Sequence, residues 1–206
     1  MNGTSTTIPT NSKEAILDAA EELMANVGYE RASIAQICRE SGLPVGSVYH
    51  HFGSKAGLLS AIMERGSLRF FATMPQADAD RSISEEQRMR DYWLSAADAI
   101  YANFNYFTLE ADMMRSKNQD EDIARTAARV REIIHERMEA VIFPYARHLG
   151  ITNPEQLAQR LVTSSVVFTR GALIEAGHDL ERLRILMADL YSLLHAAILQ
   201  AAEAEE

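Results

Sequence analysis

The chain has 206 residues, is 47% hydrophobic and carries a formal net charge of -9 from 20 basic and 29 acidic side chains. That length and apolar content support one large domain or two unequal ones, a single cysteine excludes an internal disulfide, and the acidic balance argues against indiscriminate binding to nucleic acid. No apolar run is read as approaching the ~18 residues that span a membrane, and together with the cysteine usage this gives a cytoplasmic protein with no membrane partner as the expectation.

Residues 1–12, MNGTSTTIPTNS, are polar, lack the features of a secretion signal and read as a flexible tail. From Asn11, with Glu14 three residues on as a capping box, Ile16, Ala19, Ala20, Leu23, Met24 and Val27 form one apolar stripe that Gly28 ends. Ser33 caps a short helix carrying Ile34, Ile37 and Cys38, which Gly42 stops. Pro44 suits the first turn of another short helix, running to about His51. Ser54 caps a fourth helix with Leu58, Leu59, Ile62 and Met63 on one face, continuing towards Phe71. Residues 73–84, TMPQADADRSIS, lack apolar period and read as a linker.

A broad stripe of Met89, Tyr92, Trp93, Ala96, Ala97, Ile100, Tyr101 and Phe104 then marks an amphipathic helix. A shorter helix over 105–117 and a long one over 120–147 follow, with Pro144 expected to kink or end the second. Two final helices span roughly Pro154 to Ala176 and Leu180 to Ala202. In the last, Leu183, Met187, Leu190, Leu194 and Ile198 line one face while Leu186 and Leu193 occupy another, so one side needs a partner. No strand alternation or repeat appears. The fold expected is all-α with about nine helices: a helix-turn-helix head at 13–66 on a larger body at 67–206.

Two short helices separated by SGLP match a helix-turn-helix, whose second helix enters the DNA major groove. Residues 31–55 also hold Arg31, Arg39 and Lys55 against Glu40 alone, a positive patch on an acidic chain. On the second helix, Val48 and Phe52 can pack inward, leaving Val45, Tyr49 and the imidazoles of His50 and His51 directed elsewhere. Over residues 13–65 the sequence resembles the N-terminal domain of the TetR family of transcriptional regulators. Ala19-Ala20 with Leu23, Gly28-Tyr29, Ile37, Gly42, Gly46, Tyr49-His50-His51-Phe52 and Ser54-Lys55 carry the resemblance.

The resemblance implies a homodimer joined through the last two helices, a double-stranded DNA operator as partner and a body that binds a small effector. By the same resemblance the DNA contacts are Ser33, Ile34, Pro44, Val45, Gly46, Tyr49, His50 and Lys55. Tyr49 can donate its hydroxyl to phosphate, and Gly46 removes a side chain where the duplex comes close. Family members often carry Ser and then a basic or polar residue where this chain has Pro44 and Val45; Val45 suits a thymine methyl.

Trp93, Phe104, Phe107, Met113, Met114 and Phe168 are the candidate lining of a mainly apolar effector cavity, suited to a hydrophobic or aromatic molecule. Aromatic and methionine stripes also serve as plain core, and Glu110, Arg170 and Glu175 are equal candidates to orient a polar end. Cys38 reads as a core thiol. No metal is expected, because His50 and His51 diverge on a helix without supporting ligands. No cofactor is expected either. Scattered histidines with Ser164-Ser165 lack any nucleophile elbow or phosphate loop, so catalysis in the body cavity is the distant alternative, after a ligand-independent or activating regulator.

Overall fold

In the computed structural model, residues 12–75, 82–115 and 121–205 are described, and they form nine helices with no strand among them. These are α1 Ser12–Val27, α2 Ile34–Ser41, α3 Val45–Phe52, α4 Lys55–Thr73, α5 Glu85–Ala102, α6 Phe104–Arg115, α7 Glu121–His148, α8 Pro154–Ala176 and α9 Leu180–Glu203. The proposed Asn11 cap and residues 76–81 of the expected linker fall outside the described residues; Ser84, at the linker's end, caps α5 by accepting from Gln87 N at 3.1 Å. Pro144 does not end α7, which continues to His148. A proline removes one backbone donor, and flanking turns can hold the helix through that single loss. Gly150, at φ +78°, makes the turn instead.

The chain divides into two compact units. The first comprises residues 1–67 and 105–128, so α6 and the start of α7 pack with the head helices. Its core is built from Ile16, Ala20 and Met24 of α1, Ile37 of α2, Val48 of α3 and Leu58, Leu59, Ile62 and Met63 of α4, all buried. Arg65 ties α4 to α1, donating to Glu14 at 3.0 Å, Asp18 at 2.7 Å and Glu21 at 2.6 Å. Only the Glu21 carboxylate is itself buried. The other two arms are solvent-screened and worth little alone.

Gly66 sets the approach of α4 to α6. A Cβ there would stand 2.3 Å from Cδ2 of the Tyr106 ring, inside any real contact distance. Gly66→Ala is therefore expected to destabilise the protein by about 1–3 kcal/mol, the usual cost of overpacking, which chemical denaturation measures directly. An unchanged midpoint and slope would mean that Tyr106 yields without strain.

The second unit comprises residues 68–104 and 129–206. Here α9 packs against α5 and α8. Leu183, Met187, Leu190, Leu194 and Ile198, spaced on one helical face, are all buried, opposite Met89, Trp93, Ala96, Ala97 and Ile100 of α5 in the same core. Arg184 closes the rim of α9 on α5 through Asp98 at 2.6 Å. Tyr145 Oη lies 3.0 Å from His195 Nε2, and the His195 ring stacks between Tyr145 and Tyr191. The other side of α9 is open, with Ile185, Leu193 and Leu199 exposed; on α8, Val167 and Ile174 are exposed too. One expectation fails here: α9 is long and apolar enough to cross a membrane by length and composition. Asp189 is the only charge between Ile185 and Ala202, so polar neutral residues interrupt the apolar run without lowering its average much.

Candidate nucleic-acid interface

Local capping fixes the two short helices. The Ser33 hydroxyl accepts from Gln36 N at 3.2 Å, and Gln36 Oε1 accepts from Ser33 N at 2.9 Å, a reciprocal capping box. The same oxygen accepts from the Ser33 hydroxyl at 2.7 Å, so this side chain is engaged in its own helix start. Gln36 was not singled out from the sequence, although a Gln three residues after Ser is the signal for it. At the other end of α2, Gly42 takes φ +69°, the left-handed conformation that turns the chain towards Pro44.

Pro44 is the N-cap of α3, one position before the expected first turn. Its fixed φ leads the chain into α3 without a side-chain cap. Along α3, Ser47 and Val48 are buried, while Val45 and Tyr49, each 52% exposed, form with Gly46 and His50 the outward face. Phe52, expected in the core, is half-buried. Gly57 sets how closely α4 follows α3, since a Cβ there would fall 2.1 Å from the Phe52 carbonyl oxygen. Gly46 differs: a Cβ there would meet nothing within 4 Å. Nothing inside the chain requires glycine at that place in a helix.

His51 does not join the outward face. Its Nε2 lies 2.9 Å from Ser12 Oγ and its side chain is half-buried, a tie between α3 and α1 that spans 39 residues and leaves no local sequence signal. His50 remains exposed. Lys55 Nζ donates to the Glu30 carbonyl at 3.2 Å and sits 4.3 Å above the Tyr29 ring. Burial pushes its pKa down and the Glu30 charge pulls it back up. The α1–α2 turn thus holds this ammonium beside the start of α4. Ile34 is half-buried, and so is Cys38, which lies one helical step from the buried Ile37 rather than in the core. No cluster of metal-ligating side chains exists among the described residues.

The six candidate effector residues fall in both units. Trp93 is buried, with Phe104 and Phe168 half-buried, in the second unit; Phe107 and Met113 are buried, with Met114 half-buried, in the first. Of the candidate polar groups, Glu175 pairs with Arg182 at 3.1 Å on the surface, Arg170 is half-buried and Glu110 is buried. In the second unit the buried Tyr92 hydroxyl, Trp93 Nε1 and Thr169 Oγ1 have no hydrogen-bond partner. Burial pushes the Tyr92 pKa well up, with Arg137 opposing it. Buried polar atoms without partners are uncommon and costly.

Residues 16–62 match the family described as "Bacterial regulatory proteins, tetR family". The chain is 31% identical over 90 residues to the HTH-type transcriptional repressor AcnR of Corynebacterium efficiens, a span of 42% of this chain and 47% of that protein. It is 39% identical over 66 residues to the HTH-type transcriptional regulator UidR of Escherichia coli, 30% of this chain and 33% of that one. These matches therefore span about half or less of the relatives' own length. Among solved structures, the fatty acid degradation regulator FadR from Bacillus halodurans superposes with a TM-score of 0.72 at 14% identity, covering 89% of this chain and 94% of that one. Salmonella enterica GusR gives 0.69 at 22% identity, covering 94% and 98%. At such identities the likeness speaks for the fold alone, and that fold runs through head and body alike. The chain carries a tetR-family helix-turn-helix domain within an all-α fold shared with these regulators.

Proposed function

We propose that this protein is a ligand-responsive transcriptional regulator that binds a palindromic DNA operator as a homodimer and releases it when a small, mainly apolar effector occupies the body. The observation that carries the DNA-binding reading is the outward face of α3: Val45, Gly46, Tyr49 and His50 lie open on a helix whose opposite side anchors the head core through Val48. Lys55 is held beside it by the α1–α2 turn. A helix with one committed face and one open face of mixed apolar, hydroxyl and imidazole chemistry suits major-groove reading with flanking phosphate contacts. In this reading residues 13–66 recognise DNA and residues 67–206 supply effector binding and dimerisation.

Effector binding in the body draws support from the orphaned Tyr92 hydroxyl, Trp93 Nε1 and Thr169 Oγ1, which a molecule with an apolar frame and one or two polar atoms can satisfy. Control then follows from linkage: an effector that favours a head spacing unlike that of the operator lowers DNA affinity by its differential binding energy, typically ~1–3 kcal/mol. The named relatives AcnR and UidR are a transcriptional repressor and a transcriptional regulator. Repression is accordingly the preferred direction, and DNA binding rather than turnover the expected activity.

Selection of genomic fragments by the purified full-length protein tests the proposal. Enrichment of an inverted repeat, with half-site centres about one helical turn (~34–36 Å) or a multiple of it apart, is the expected outcome. Recovery without any shared motif would overturn the operator reading. Once the operator is in hand, an effector should both lower operator affinity and alter the fluorescence of Trp93, the single tryptophan.

A further inference from the structure

Lys55 is the first residue of α4, where two effects disfavour a cation. A helix start carries positive partial charge, and partial burial pushes the ammonium pKa down. Covering the Tyr29 ring does not by itself call for a lysine, since a leucine or methionine does so without either cost. What offsets the costs comes from the α1–α2 turn. Lys55 Nζ lies 4.3 Å from the centroid of the Tyr29 ring and donates to the Glu30 carbonyl at 3.2 Å, and the Glu30 charge raises its pKa.

This arrangement holds the ammonium without consuming it. The negative face of an aromatic ring attracts a cation and leaves its charge in place. An ammonium has three donors, of which the carbonyl takes one. The platform is itself fixed: Gly28 N–H donates to the Met24 carbonyl at 2.9 Å, and Ala32 N–H, on a buried residue, donates to the Gly28 carbonyl at 3.1 Å. On the other side, Gly57 lets α4 lie close to the end of α3. Lys55 is therefore placed relative to α3 both by its own helix and by a turn 25 residues away.

We propose that Tyr29 is a positioning residue for DNA binding, its ring face holding the Lys55 ammonium in place for a backbone phosphate beside α3. The role rests on the DNA-binding reading of the head and adds to it a side chain that need not touch the duplex. Lysine is otherwise a mobile point charge on a flexible stem. A side chain already held in its bound geometry loses less freedom on binding, and the difference appears as affinity.

The test compares Tyr29→Leu, Tyr29→Phe and Lys55→Ala in the full-length protein, each checked by circular dichroism, with Tyr29→Met as the replacement if the leucine variant unfolds. Without DNA, the ε-methylene protons of Lys55 should resonate upfield of those of the other two lysines through the Tyr29 ring current. Tyr29→Phe should keep that shift and Tyr29→Leu should lose it. With DNA, Lys55→Ala should make the dependence of log affinity on log salt shallower by about 0.9, the share of one phosphate. Tyr29→Leu should weaken binding about three- to tenfold, and Tyr29→Phe should stay within about twofold of the parent. Adding Tyr29→Leu to Lys55→Ala should cost nothing further. An unshifted Lys55 signal in the parent, a Tyr29→Phe as weak as Tyr29→Leu, or additive losses in the double variant would overturn the role. So would tighter binding by Tyr29→Leu, which would mean that the turn withholds Lys55 from DNA. If Lys55→Ala keeps the parental salt dependence, the positioning role falls while DNA reading by α3 stands. A protein that binds no duplex even at low salt loses the DNA-binding reading, and the role with it.

Discussion

Gly46→Glu is expected to lose operator binding by at least about 100-fold at moderate salt while the protein stays folded. The separation of these two effects is the substance of the prediction. A Cβ at Gly46 meets nothing within 4 Å, so a glutamate there has room and points away from the head core. Gly46 is the second residue of α3, and a glutamate in a first helical turn is favoured over glycine, so the substitution should not weaken the helix. Against DNA the same carboxylate lies where the duplex backbone and base edges approach, and juxtaposed like charges cost several kcal/mol. Gel-shift titration with operator DNA beside thermal unfolding measures both. Gly46→Ala is the control for size alone and should weaken binding far less. If Gly46→Glu binds operator as tightly as the parent, α3 is not the reading helix.

The head was legible because its determinants are local. Ser33 before a short helix, Gly42 in the left-handed turn, Pro44 ahead of α3 and the inward Val48 all act within one or two turns of their own position, although Phe52, four residues after Val48, is only half-buried. What escaped was chemistry between distant residues. His51 belongs on the outward side by helical angle if α3 is taken alone, and only α1, with Ser12 at 2.9 Å, draws it inward. The clamp of Arg65 on three carboxylates of α1 spans up to 51 residues and has no periodic signature. The seat of Lys55 on the α1–α2 turn was invisible for the same reason: it lies 25 residues along the chain from Glu30. In the body, the apolar stripe of α5 from Met89 to Ile100 predicted its buried face, whereas α9 carried two apolar faces and only its packing on α5 and α8 decides which of them is core. The candidate cavity residues, chosen by side-chain type, fell in two compact units because type carries no information about neighbours.

The glycines connect the two halves of the proposal. Each described glycine either has positive φ or would place a Cβ within 3.4 Å of another group, except Gly46 and Gly171, both inside helices and both open. A glycine inside a helix costs about 0.5–1 kcal/mol relative to alanine, so these two positions suit a close approach from outside the chain. For Gly46 the proposed visitor is DNA. For Gly171 it is a second copy, because Gly171 lies between Val167 and Ile174 at four- and three-residue steps, one apolar stripe on α8.

Ile174→Glu with Leu193→Glu is accordingly expected to convert a dimer into a folded monomer. The two residues are 75% and 60% exposed in the single chain, so charging them leaves the core of the second unit intact. In a two-fold assembly each substitution occurs twice. Four unpaired carboxylates buried at one interface, at even ~1.5 kcal/mol each, amount to about 6 kcal/mol, or roughly four orders of magnitude in the dimer dissociation constant. Leu190 and Leu194, where the sequence alone suggests that a charge would give monomers or unfolded protein, face the other way: both are 3% exposed against α5 and α8, and charging either should unfold the second unit. Sedimentation velocity and circular dichroism on the two sets of variants distinguish the cases. A double variant that sediments as a dimer would move the interface away from this stripe. A folded monomer should retain the weak affinity of one head for one half-site and lose the tight binding that comes from engaging two at once.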